Sequence, residues 1–183
     1  MRLFISVNMK DTLRSRVVEI MNIMRAKTVR GNFTRPDNLH ITLAFLGEIE
    51  PERIDDITRT MHQVGRDKRR KLSFELNDIG RFNDTWWIGV KRDQTLWDLQ
   101  TALSNSLRKS GFHIDKRPFR PHLTICRKPV FSGDFDEAEF RADINPMLRG
   151  LVWEADRFDL MLSERINGRL TYSVLHSTEL NSN

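Results

Sequence analysis

The chain has 183 residues and a single cysteine, Cys126. That scarcity excludes an internal disulfide and a zinc site built from cysteines. No apolar run approaches the roughly 20 residues that a membrane-spanning helix needs. The opening stretch MRLFISVNMK has a short apolar segment with Lys10 and Asp11 right behind it. It lacks the longer apolar region and small-residue cleavage site of a secretion signal, so it reads as a first strand. These absences point to a cytoplasmic protein with no membrane partner. Histidine is scarce too, with five in the whole chain.

What is present is ordinary for a soluble globular protein: 39% hydrophobic and 30% charged residues, enough chain to bury a core without staples. Length and composition suggest one domain over residues 1–183, in two lobes that share a core, and a monomer is expected. Thirty basic residues against 25 acidic ones give a net charge of +5. A basic balance favours anionic partners such as nucleic acid. The densest basic run, GRDKRRKL at 65–72, reads as a solvated turn unless it faces a cleft.

Periodicity divides the chain into alternating elements. RLFISV (2–7) has the pattern of a strand. Leu13, Val17, Ile20, Met21 and Met24 then fall at helical spacing, predicting an amphipathic helix over about 10–25. GNFTRPDN (31–38) is rich in breakers and reads as a loop. LHITLAFL (39–46) suits a strand, ended by Gly47. Pro51 opens a second helix with a stripe of Ile54, Ile57, Met61 and Val64. KLSFELNDIGRF and TWWIGV read as a hairpin turning at Asn83-Asp84. Leu96, Leu99, Leu103 and Leu107 mark a third helix, stopped by Gly111. HLTIC is the next strand. Residues 127–150 show mixed charge and little period. RFDLMLSER and RLTYSVLHSTEL form a last hairpin around Asn167-Gly168, a pair that tolerates positive φ.

Two of the five histidines occupy the same four-residue frame, His40-Ile41-Thr42-Leu43 and His122-Leu123-Thr124-Ile125, one in each half. Each frame follows an amphipathic helix, which suggests a duplicated α+β unit whose halves face each other. On a strand, residues two apart share a face. His40 and Thr42 then lie side by side, as do His122 and Thr124, with Ile41, Leu43 and Phe45 or Leu123 and Ile125 behind them. Strict alternation puts the small residues Ala44 and Cys126 next on the polar face.

A lone His-x-Thr means little, but two in matching contexts suit one task. Near neutral pH one imidazole can accept a proton while the other donates one. Phosphodiester cleavage needs both events, and threonine hydroxyls can hold the phosphate oxygens as charge builds. No metal or other cofactor is required, and no carboxylate stands at a spacing that would complete a metal site with the histidines. His62, His113 and His176 lack such a frame and read as structural or surface residues.

The paired motifs resemble those of the two-histidine phosphoesterase superfamily. The surrounding RLFISV, NLHITLAFLGE, RPFRPHLTICR and FDLMLSERINGRLTYSVL are similar to the bacterial and archaeal RNA 2′,3′-cyclic phosphodiesterase family, first named for 2′-5′ RNA ligase activity. The resemblance spans nearly the whole chain and is weakest at 127–150; the HSTELNSN tail lacks a tryptophan many members carry. It implies a bilobal α+β fold, with two antiparallel sheets around a central cleft and helices outside. It also implies hydrolysis of the 2′,3′-cyclic phosphate end of an RNA or nucleotide to a 2′-phosphate. His40 would then be the proton donor, His122 the acceptor, and Thr42 and Thr124 the phosphate-holding residues. Arg127 sits where the family tends to have a basic residue; Arg120 could reach the same face, though either arginine could equally be a solvated strand end. Two other activities stay open: making or breaking 2′-5′ linkages as the main task, and nucleotide or RNA binding without turnover.

Overall fold

A computed structural model describes residues 1–68 and 70–180, the side chains of Asp11 and Thr12 excepted. Arg69 of the basic run and residues 181–183 of the tail lie outside the described residues. The elements in chain order are β1 (Arg2–Asn8), α1 (Asp11–Ala26), β2 (Thr28–Phe33), β3 (His40–Glu48), α2 (Ile54–Asp67), β4 (Leu72–Phe82), β5 (Thr85–Val90), α3 (Gln94–Lys109), β6 (His122–Phe131), α4 (Glu137–Leu148), β7 (Val152–Ala155), β8 (Arg157–Ile166) and β9 (Arg169–Glu179).

The strands run β7-β4-β5-β6-β3-β1-β8-β9, with β2 added on β6, and every pairing is antiparallel. The mixed α+β class and antiparallel sheets expected from the sequence are present. The two halves of the sheet meet at β3 and β6 through one residue pair, Ile41 with Leu123. Both side chains are fully buried and belong to the core that also receives the stripes of all four helices. Among these are Val17 and Met24 of α1, Ile57 and Met61 of α2, Leu99 and Leu103 of α3, and Phe140 and Ile144 of α4. The helices therefore cover the face of the sheet opposite His40 and His122.

Local chemistry explains the element ends. Asp93 caps α3 by accepting from the Leu96 N–H, and Gly111 follows its end at φ +82°. Asn83, Asn167 and Gly168 take the positive φ values that their tight hairpins need. Three elements were not visible in the sequence. Residues 28–33 pair with β6 as strand β2, although Gly31 and the downstream breakers suggest only loop. The stretch 127–150 extends β6 to Phe131 and then forms α4, capped by Asp136, which accepts from the Ala138 and Glu139 N–H groups. Phe140, Ile144 and Leu148 make a buried i, i+4, i+8 stripe there, masked in the sequence by intervening charges and Pro146. Strand β7 follows and closes on β4.

Gly65 shows how closely α2 approaches β9. A Cβ there would lie 2.5 Å from Thr178 Cγ2 and 3.2 Å from the Glu179 carbonyl oxygen. Alanine favours an exposed helix by about 1 kcal/mol over glycine, but overpacking a fixed core costs roughly 1–3 kcal/mol. Gly65→Ala is therefore expected to lower the urea midpoint with an unchanged slope. A raised midpoint would mean that β9 yields freely.

Candidate active site

The register around Ile41 and Leu123 decides where the motif side chains go. Directly opposed residues of an antiparallel pair share a face, so both anchors enter the core. His40, Thr42, His122 and Thr124 then lie on the other face, all four partly exposed. With Ile41 opposite Leu123, the antiparallel register sets His40 beside Thr124 and Thr42 beside His122. The two halves thus bring the paired frames together in one cleft. Two separate concavities, of about 470 and 430 Å³, contain none of these residues.

Both imidazoles are held in the same way. His40 Nδ1 lies 2.7 Å from the Asn38 carbonyl oxygen, and His122 Nδ1 lies 2.8 Å from that of Arg120. A carbonyl only accepts, so each Nδ1 carries a proton and donates it. The lone pair of the neutral ring is then on Nε2. For His40 that atom is 3.1 Å from Thr42 Oγ1, whose hydroxyl donates to it in the neutral state. Arg120 thus serves His122 through its backbone carbonyl, while its side chain is exposed.

Strict alternation fails just past each threonine, and it fails identically. The register of β1 against β3 skips Leu43, and that of β5 against β6 skips Ile125. Each skip is a bulge that buries two successive residues. Ala44 and Cys126 are therefore in the core, at 4% and 0% exposure, not on the cleft face where alternation puts them. The next residues, Phe45 and Arg127, turn outward instead. Phe45 is 66% exposed, correcting the expectation that it faces inward. Arg127 pairs with Thr85 in the register and donates to Thr85 Oγ1 at 3.4 Å. It lies close enough to repel a proton from both histidines. Burial pushes the Cys126 thiol up to about 11, which keeps it protonated and unreactive at neutral pH.

Aromatic rings wall the two histidines in parallel fashion. Phe4 and Tyr172 flank His40, with centroids 5.0 and 5.3 Å away. Phe82 and Trp87 flank His122 at 5.3 and 6.5 Å. Asn38 is a further residue that sequence reasoning missed. Its carbonyl holds His40, and its buried side chain donates to the Leu170 carbonyl at 3.1 Å, tying the β8–β9 hairpin to that imidazole. Its place directly before Leu39-His40 was the only available signal. Elsewhere His62 and His176 pack edge to face, 4.6 Å apart, and His113 is exposed.

A family model described as the 2'-5' RNA ligase superfamily matches residues 23–167. The chain belongs to that superfamily. Among its relatives, the RNA 2',3'-cyclic phosphodiesterase of Archaeoglobus fulgidus is 37% identical over 69% of this chain and 72% of its own. The protein of the same name from Escherichia coli K12 is 28% identical over 95% and 93% of the two chains. The ligand-free crystal structure of E. coli LigT superposes with a TM-score of 0.77 at 25% identity, covering 99% of this chain and 98% of that one. A crystal structure from Thermus thermophilus shares the fold at a TM-score of 0.77, 24% identity and 98% coverage of both chains. Among the described residues no helix is long and apolar enough to cross a membrane.

In this superfamily member, electrostatics sets the resting charge of the cleft. Burial lowers the pKa of both His40 and His122 below the usual 6.5, outweighing the carbonyl bonds that raise them; His122 and Arg127 add to the depression of His40, and Arg127 to that of His122. The neutral form of both rings is therefore favoured at pH 7 without ligand. An anion bound between them favours the charged form and raises both values. Imidazole NMR should show both histidines titrating below 6.5 in the free protein and moving upward with inorganic phosphate. A midpoint above 6.5 for either ring in the free protein would contradict burial as the dominant influence.

Proposed function

We propose that the chain hydrolyses RNA 2′,3′-cyclic phosphate ends to 2′-phosphates by metal-independent acid–base catalysis. One observation carries this reading: two imidazoles share one face of adjoining strands, each with Nδ1 fixed to a carbonyl, which makes Nε2 the atom suited to exchange a proton. The names of the relatives support the substrate, and E. coli LigT has been crystallised with phosphate, 3'-AMP, ATP and NADP+. Among the described residues no group of three or more His, Cys, Asp or Glu side chains could hold a metal ion.

In the reaction, His122 Nε2 takes a proton from water as its oxygen attacks phosphorus. The P–O3′ bond breaks, and His40 Nε2 supplies the proton that O3′ requires. In-line geometry needs these groups on opposite sides of phosphorus, which two imidazoles projecting from adjoining strands can flank. His122 is the less deeply buried ring, which suits it to activate water, and its lowered pKa favours the neutral form that a base needs. Thr42, Thr124 and Arg127 are the donors for the equatorial phosphate oxygens, where a fixed donor is worth most as charge develops. Exposed Phe45, beyond Phe4 on the His40 side, is a stacking surface for the base of the terminal nucleotide. His40 must be protonated to act. Burial lowers its pKa in the free protein, and the substrate's own anionic charge would favour the protonated acid.

General acid and base groups each contribute roughly a hundred- to ten-thousand-fold. His40→Ala and His122→Ala are expected to lose turnover on that scale while remaining folded, with Thr42→Ala and Thr124→Ala losing less. Phosphorus NMR of the product should show the 2′-monophosphate. A folded His40→Ala enzyme of near wild-type rate would remove the two-histidine mechanism, and a mainly 3′ product would reverse the role given to His40.

Metal independence has its own check. Turnover should survive exhaustive chelation. Loss in chelator, restored by a single divalent ion, would transfer the chemistry to a metal.

A further inference from the structure

We propose that Phe82 and Trp87 form a second nucleoside subsite, for the nucleoside that bears a 5′ oxygen on the His122 side of the phosphate. The inference rests on the acid–base assignment above and deepens it. Hydrolysis needs only water on that side, so hydrolysis alone gives no reason for an aromatic floor there.

The register places this floor in the cleft. Ile88 opposes Leu123 and is buried, so Trp87 and Gly89, on either side of it, face the cleft. Trp87 opposes Thr124, and Gly89 opposes His122. On β4, Gly80 opposes Trp87, and Phe82 opposes Thr85, whose other neighbour is Arg127. Phe82 and Trp87 therefore lie on the same face as the reacting groups.

The indole is built into that floor. A Cβ on Gly80 would lie 2.3 Å from Trp87 Cη2 and 2.4 Å from Cζ2, and one on Gly89 would lie 3.2 Å from Cζ3. Only residues without side chains let the six-membered ring lie so close over the strands. Phe82 packs on the indole with centroids 4.8 Å apart and a 37° tilt, and meets His122 at 90°. Yet Phe82 remains 37% exposed at the end of its hairpin. A rigid aromatic surface beside the imidazole that handles the incoming oxygen is what a nucleobase stacks on.

The chemistry that uses this subsite is the exchange of water for a 5′ hydroxyl. A lone pair of the 5′ oxygen attacks phosphorus while its proton passes to His122 Nε2. The P–O3′ bond breaks, its electron pair stays on O3′, and His40 returns a proton there. The products are a 2′-5′ diester and a free 3′ hydroxyl. Run backwards, O3′ attacks, the 5′ oxygen leaves with a proton from His122, and the departing nucleoside occupies the subsite.

The test compares two substrates of one enzyme: a nucleoside 2′,3′-cyclic monophosphate, hydrolysed with no second nucleoside, and a 2′-5′-linked dinucleoside monophosphate, which has one. A stacking contact is worth about tenfold or more in binding. Phe82→Ala and Phe82→Leu should each lower kcat/KM for the dinucleotide roughly tenfold further than for the cyclic nucleotide. Phe82→Tyr, which restores the ring, should restore the ratio. Equal losses on both substrates would assign Phe82 only to the packing of His122 and overturn the subsite. So would a wild-type enzyme that hydrolyses the cyclic nucleotide but does not cleave the dinucleotide. A wild-type enzyme inert towards the cyclic nucleotide would instead count against the hydrolase reading itself.

Discussion

The site depends on one contact between two sheet halves, the buried pair Ile41 and Leu123. Strands β3 and β6 touch in register only there, and the two histidines and two threonines are placed by parity from it. Shifting either strand by one residue would send an imidazole into the core and a large apolar side chain into the cleft. Such a slip is opposed because both anchors are fully buried among the helix stripes. The same apolar residues that stabilise the fold thereby hold the two histidine–threonine pairs in register.

From this shared frame the two halves diverge in a way that suits an asymmetric reaction. Both motif strands carry a bulge at the same step, which buries a small residue and turns the following one outward. In one half that residue is an exposed phenylalanine, and in the other an arginine. The aromatic walls also differ: Tyr172 beside His40 carries a hydroxyl, while Phe82 and Trp87 beside His122 make an apolar floor. Burial keeps the Tyr172 phenol protonated by raising its pKa, against the opposing influence of Arg127 and Arg2. A near-symmetric pair of imidazoles thus sits in surroundings that are not interchangeable.

The shared face of His40 with Thr42, and of His122 with Thr124, was legible in the sequence because strand geometry has a period of two. The apolar stripes of α1, α2 and α3 were legible because helical periodicity is equally regular. The bulges were not, because no local residue type announces where a ladder skips; Ala44 and Cys126 look like cleft residues until the partner strands are seen. Helix α4 was hidden by the charges between Phe140, Ile144 and Leu148, and β2 by Gly31, which a strand interior normally disfavours. Gly31 is present because a Cβ would come within 2.9 Å of Cys126 Sγ. Trp87 did leave a trace, since Gly80 and Gly89 interrupt two strands, and glycine inside a strand often marks a close approach.

The charge of the cleft follows from burial as well. Two imidazoles walled by aromatic rings and faced by Arg127 resist taking up protons, so the empty site is poor at donating one. A phosphate diester entering between them brings the negative charge that reverses this preference. Under the proposed reading Arg127, which opposes protonation of the histidines in the free protein, would then share the same anion with them. Under the proposed mechanism the acid would be loaded by the molecule it acts on, and an uncharged analogue of the same shape would leave His40 neutral. On that mechanism selectivity for an anionic substrate would be part of the proton chemistry itself, since binding and activation would draw on the same charge.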